Sequence, residues 1–208
     1  MFKILRLSLM TLFFLGIAGV IVYYQIEKLP VVHNAVDEMD VVGGPFDLID
    51  QDGKPCKSGD FKGKYLIVYF GYSHCPDACP RALRTITEAL TSLKRDRDQV
   101  AAVFITMDPS RDTVQELKTY SENYNENMFF LTGDKKAIDA VAKAYKTYAK
   151  KVNSGETTEY LIDHSTLIYL LDREGKQIAY FMHTVEPEKL SNALLTALNQ
   201  EHKHNRTA

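Results

Sequence analysis

Apolar runs and helical spacings alternate along most of this chain. Tyr65–Gly71 and Val100–Met107 are nearly unbroken hydrophobic stretches, the signature of strands covered on both faces. Met128–Leu131 is a shorter run of the same kind, stopped by Gly133. Between the first two, Leu83, Ile86, Leu90 and Leu93 recur on one helical face of Arg81–Leu93, while Arg84, Thr87 and Glu88 fall outside it. Asp112 and Thr113 precede Gln115 and Glu116 in capping-box spacing, which starts a helix near Thr113. Asp134 caps another that is expected to run to about Tyr148. A polar loop, Lys151–Thr158, leads to Tyr160–His164. Ser165–Leu171 and Lys176–Met182 form a hairpin around Asp172–Gly175. Pro187 opens a last helix expected to end near Gln200. Ahead of all these, short alternating segments at Phe46–Asp50 and around Cys56 flank Asp52-Gly53, a hairpin signal.

Strands alternating with helices predict an α/β layered fold, and the closing antiparallel hairpin makes its sheet mixed. The order of elements is thioredoxin-like: a first long strand, a cysteine pair, a βαβ unit, then hairpin and helix. An extra hairpin leads and an extra helix is inserted.

The first 28 residues differ in kind. Lys3 and Arg6 precede Leu7–Tyr24, which carries no charge, and Glu27 and Lys28 close it. This length approaches the roughly 20 residues of a membrane span and exceeds the roughly 7–15 of a signal-peptide core. Tyr23 and Tyr24 stand where interfacial aromatics belong. The cationic amino end predicts that everything after Lys28 is translocated. Gly16-Ile17-Ala18-Gly19 is a poor cleavage site, so a cleaved leader is the minority reading. Residues 1–28 are thus expected to be a single transmembrane anchor and 29–42 a stalk. Residues 43–200 are the folded domain and 201–208 a flexible tail. No long Arg- and Ser-rich presequence precedes the apolar run, which favours a bacterial inner membrane with the domain in the periplasm; the alternative is a mitochondrial inner membrane facing the intermembrane space.

At 208 residues and 45 % hydrophobic, the chain buries one good core. Its formal charge of −2 gives no electrostatic footprint for nucleic acid. Three cysteines is an odd number, and Cys56 is left over if the other two act together. No phosphate-cradling loop, nucleophile elbow or carboxylate dyad is present.

Those other two carry the chemistry. Cys75-Pro76-Asp77-Ala78-Cys79-Pro80 spaces two thiols at a strand exit and helix entrance. Thiolates are soft ligands and strong nucleophiles, so the pair implies metal capture or disulfide exchange. Pro80 suits a first helical position, which makes Cys79 the N-cap, where the helix dipole favours a thiolate. Cys75 then lies on the more exposed loop. A soft metal needs a third ligand, and His164 is the candidate. In a thioredoxin-like sheet the loop entering the penultimate hairpin packs beside the cysteines and ordinarily holds a cis-proline. Here Asp163-His164-Ser165 stands in its place. Two thiolates and an imidazole suit copper, and zinc would accept the same trio with a water.

The remaining candidates have plainer readings. His74 is a turn residue beside the pair. His33, His183, His202 and His204 are solvated or packed, and Cys56 is a bystander. Met107 and Met182 end strands and belong to the core. Asp108–Asp112 lies on the same rim as the cysteines, as an internal ion pair or as a substrate-facing group. Lys143, Lys146, Lys150 and Lys151, interleaved with Tyr145 and Tyr148, form a basic helical end, a solvated face or a dock for an acidic partner.

With these residues assembled, the chain resembles the Sco/SenC family of membrane-anchored, copper-binding, thioredoxin-like proteins. The motifs that carry the likeness are Gly63-Lys64, Phe70-Gly-Tyr-Ser-His-Cys-Pro-Asp-Ala-Cys-Pro80, Asp108-Pro-Ser-Arg-Asp-Thr113 and Tyr160-Leu-Ile-Asp-His-Ser165. Val114 stands where a proline is common. The resemblance implies that Cys75, Cys79 and His164 bind copper, as Cu(I) or Cu(II). It implies a metallochaperone that helps build the CuA centre of cytochrome c oxidase subunit II or serves another copper-acceptor protein. Its alternative is an extracytoplasmic thiol-disulfide oxidoreductase acting on the acceptor's cysteines through Cys75 and Cys79. A peroxidase of the same fold would need a different thiol motif.

Overall fold

The computed structural model describes residues 42–153 and 160–207. The expected anchor, residues 1–28, lies outside them. Among the described residues no helix is long and apolar enough to cross a membrane.

Strands β1 (Asp47–Ile49) and β2 (Pro55–Lys57) pair antiparallel as the leading hairpin. β3 (Tyr65–Gly71) follows, then α1 (Ala78–Ser92) and β4 (Val100–Thr106). Next come α2 (Val114–Ser121), β5 (Met128–Leu131) and α3 (Lys135–Ala144). The chain closes with β6 (Ala149–Asn153), β7 (Tyr160–His164), β8 (Leu167–Leu171), β9 (Gln177–Met182) and α4 (Pro187–Thr207).

Five strands form the central sheet in the order β5-β4-β3-β8-β9. β3, β4 and β5 run parallel, and β8 and β9 are antiparallel to their neighbours. The sheet is mixed, with helices on both faces, as the alternation of elements predicts. Every residue of β3 and of β4 is buried, because both faces are covered and neither strand needs a polar side. Alternate side chains feed two cores. Ile67, Tyr69, Ala102 and Phe104 pack under Leu83, Ile86 and Leu90 of α1 and Leu190, Leu194 and Leu198 of α4. Leu66, Val68, Phe70, Val103 and Ile105 pack under Ile138 and Val141 of α3 and Phe46, Leu48 and Cys56 of the leading hairpin. Burying each large apolar side chain contributes about 1.5–3 kcal/mol.

Predicted caps are present where side-chain chemistry supplies them. Thr113 accepts from the Glu116 N–H and Asp134 from the Ala137 N–H. Two expected boundaries differ. α3 stops at Ala144, short of Tyr148. Lys146 takes a left-handed φ of 49°, the Thr147 N–H reaches the Ala142 carbonyl and the Lys146 N–H that of Lys143. This is a Schellman closure with a lysine in the place usually held by glycine. The chain released there forms β6, whereas the sequence reads as a polar loop from Lys151. β6 pairs with β7 from Ala149↔His164 to Asn153↔Tyr160 as a separate two-stranded ribbon. α4 in turn continues past Gln200 to Thr207.

Candidate metal centre

β3 ends at Gly71, and the absence of a side chain there makes room for the site. A Cβ on Gly71 would stand 2.6 Å from Cys79 Sγ and 2.8 Å from the Phe104 ring. The chain turns through Tyr72–Asp77, with the Cys75 N–H on the Tyr72 carbonyl, and enters α1. Asp77 is the N-cap of that helix, so Cys79 lies inside its first turn and is not the cap residue. Pro80 tolerates this because the N–H groups of the first turn have no intrahelical acceptors to lose. No side chain of Asp77 caps the helix. The Cys79 N–H instead points at Cys75 Sγ, 3.4 Å away, so the first sulfur takes up an orphan donor at the positive end of α1.

The two thiols have opposite electrostatics. Cys75 keeps 9 % exposure, less than a loop position suggests, and Cys79 keeps none. The hydrogen bond from the Cys79 thiol draws the Cys75 thiol down to about 3, against the cost of burial, with help from the backbone N–H groups of Cys79 and Asp77. Burial first, and then the neighbouring Cys75 sulfur, pushes the Cys79 thiol up. The two thiols titrate as a coupled pair, with Cys75 biased toward the thiolate and Cys79 toward the thiol. The Tyr69 hydroxyl lies 3.8 Å from Cys79 Sγ.

His164 closes β7 and is 8 % exposed. Its Nδ1 lies 2.8 Å from the Ser165 carbonyl oxygen, which only accepts, so Nδ1 carries the ring proton. The lone pair on Nε2 then faces Cys79 Sγ at 3.5 Å. The rings of Tyr69 and Tyr72 meet the imidazole edge to face, with centroids 6.4 and 5.7 Å away. One donor atom from each of Cys75, Cys79 and His164 falls within a common 4.8 Å. Metal–donor bonds of about 2.0–2.3 Å require donor separations of about 3.5–4 Å in a trigonal site, so small side-chain shifts complete the chelate.

The three residues singled out in the sequence therefore meet, and the others do not join them. His74 is an exposed turn residue, Nδ1 2.8 Å from Ser73 Oγ, and Ser73 donates to buried Asp112. Cys56 lies in the core on the opposite face of the sheet, and burial raises its thiol to about 12. His183 follows β9, and its N–H donates to the Thr166 carbonyl. His33 lies outside the described residues, as do the side chains of His202 and His204. Met107 packs against the core as expected, but Met182 is exposed at the end of β9. Lys150 and Lys151 belong to β6 and not to a helical end, and Lys151 Nζ sits 4.0 Å over the Tyr160 ring. Asp108 and Asp112 turn inward and are buried, which makes their segment an internal polar network. Gly71, Tyr72 and Tyr160 shape the site; they fall inside the motifs that carry the family resemblance, but residue type and spacing give them no role. The nearest signal is the glycine directly after an unbroken apolar strand.

A model of the family described as SCO1/SenC matches residues 34–199. A SCO2-like protein of Rickettsia prowazekii is 35 % identical over 158 residues, covering 76 % of this chain and 77 % of that protein. The mitochondrial SCO1 homolog 1 of Arabidopsis thaliana is 33 % identical over 209 residues, covering 95 % of this chain and 62 % of that protein. The structure of Bradyrhizobium japonicum ScoI with copper bound superposes with a TM-score of 0.70 at 40 % identity, covering 75 % of this chain and 99 % of that one. The chain belongs to the SCO1/SenC family.

Proposed function

We propose that this protein is a copper metallochaperone in which Cys75, Cys79 and His164 hold the ion for delivery to an acceptor protein, the CuA site of cytochrome c oxidase subunit II being the acceptor that the family resemblance implies. The observation that carries this reading is the meeting of an imidazole nitrogen and two sulfurs at a strand-to-helix junction, 3.5 Å between Nε2 and the Cys79 sulfur. The copper-bound ScoI relative supports the choice of metal, and so does the softness of the donors. Cys75 is biased toward the thiolate, Cys79 gives up its proton when the ion arrives, and His164 offers Nε2 with its tautomer fixed by Ser165. Transfer is ligand exchange: acceptor thiolates displace the chaperone's donors one at a time.

Residues 1–28 serve as the membrane anchor, supported by the uncharged stretch Leu7–Tyr24. The domain then faces the periplasm, or the intermembrane space in a mitochondrial setting; the relatives include proteins of both kinds of source.

One observation favours a second use of the same sulfurs. The Cys75 thiolate is poised to attack a target disulfide, releasing one target thiolate and forming a mixed disulfide. Cys79 would then lose its proton, attack Cys75 Sγ and release the second target thiolate, leaving Cys75–Cys79 oxidised. Copper titration of the full-length reduced protein separates the two uses. A chaperone binds one copper per chain and loses affinity in His164→Ala. A pure reductase keeps its activity in that variant and shows no specific copper site.

A further inference from the structure

His164 is carried by a ribbon that, among the described residues, shares no hydrogen-bond ladder with the central sheet. Near its base, the Ser165 N–H reaches the Tyr148 carbonyl and the Tyr148 N–H reaches Ser165 Oγ, contacts that tie the ribbon to itself. What fastens it to the body is the face bearing Tyr160, Ile162 and His164, which alternate toward the same side of β7. Tyr160 donates its hydroxyl to the Asp108 carboxylate, 2.8 Å from both oxygens. Arg111 Nη1 donates to the Tyr160 carbonyl at 3.0 Å, and its Nε bonds Asp108 at 2.5 Å. The guanidinium lies 3.8 Å over the Tyr160 ring and 5.6 Å from the Tyr72 ring. Tyr72 accepts the Ile162 N–H at 3.2 Å and stands edge to face with His164.

Asp108 is the fixed end of this chain of contacts. It is 1 % exposed, follows β4, and is held by its own N–H on Thr106 Oγ1. The arrangement is costly: a buried carboxylate, and an Arg111 Nη2 that is buried with no partner among the described residues. Buried ion pairs are weak sources of stability and are best attested as devices that set register. We propose that Asp108, Arg111 and Tyr160 form a positioning clamp that seats the β6–β7 ribbon and thereby holds the His164 imidazole opposite the two sulfurs. The clamp rests on the copper reading and says how the third ligand is kept in reach.

The test is a double-mutant cycle in the full-length protein, read by competitive Cu(II) titration and by the nitrogen hyperfine signal in electron paramagnetic resonance. Groups that orient a metal ligand typically change metal affinity about 10–100-fold when removed. Tyr160→Phe should weaken Cu(II) binding about tenfold or more and diminish the nitrogen signal. In a His164→Ala background the same change should alter affinity by less than about twofold, because the residue it positions is gone. Equal losses in both backgrounds would reduce the clamp to a general structural role and overturn the proposal, as would wild-type affinity in Tyr160→Phe. Should Tyr160→Phe fail to fold, Arg111→Lys, which keeps the charge and loses the planar fork, is scored by the same criteria. Wild-type affinity in His164→Ala alone would overturn the copper reading itself, a result distinct from failure of the clamp.

Discussion

The cysteines and the histidine of the metal centre are held in different ways. Cys79 sits in the first turn of a helix buried against the central sheet, its sulfur pressed over Gly71 at the end of β3. Moving it means moving the core. His164 arrives on a two-stranded ribbon joined to the body by the buried Ile162 side chain, a tyrosine hydroxyl, an arginine fork and one backbone N–H. A few polar contacts, about 0.5–1.5 kcal/mol for a neutral one and about 1.5–3 for one to a charged group, and a single core side chain hold the ribbon, which makes it the looser partner. A site with two firm ligands and one lightly held ligand suits an ion that must be bound securely and then given away.

The comparison breaks most visibly at the ligands themselves. Cys79→Ser should lower copper affinity by more than the about 10–100-fold that orienting groups cost. His164→Ala should lower it clearly but less, because two thiolates remain. Competition titration of both variants checks the order, and a reversed order would make the ribbon the firmer half.

Next in size is the sheet side alone. Gly71→Ala forces a methyl group against Cys79 Sγ and Phe104, an overpacking that costs about 1–3 kcal/mol. At about 2–4 °C per kcal/mol for a domain of this size, a thermal melt should fall by several degrees. An unchanged melt would mean that Cys79 is free to give way.

A further test is a slope. The folded Cys75 thiol is held near 3 against an ordinary 9.0. Between those values the unfolded chain binds a proton that the folded chain does not, so stability of the reduced, metal-free protein rises with pH. This contribution is complete above about 9 and fades as pH falls toward 3. Cys79, displaced upward, reverses the slope above 9. Urea midpoints at pH 5 and pH 8 should therefore differ less in Cys75→Ser than in the parent. Alkylation mapping at pH 6 should label Cys75 ahead of Cys56, whose thiol burial keeps protonated.

The firm half of this site was the legible half. β3, β4 and α1 announce themselves through unbroken or periodic apolar residues, and the cysteine spacing marks their junction. His164 could be picked out from the missing proline before β8, although its distance from the sulfurs could not. The ribbon's first strand was hidden, because Ala-Lys-Lys-Val-Asn is a poor strand sequence and the helix before it ends on Lys146 in a conformation that favours glycine. The clamp was hidden for another reason. Asp108 and Arg111 are neighbours that read as an internal ion pair, but Tyr160 lies 52 residues beyond Asp108, and only the folded chain shows the three meeting.

X-ray absorption on the copper(I)-loaded, full-length protein tests the central claim most directly. Two sulfur donors and one nitrogen donor are predicted, with the nitrogen lost in His164→Ala and no change in Cys56→Ser. A copper shell of sulfur alone, or one unaltered by His164→Ala, would contradict the account.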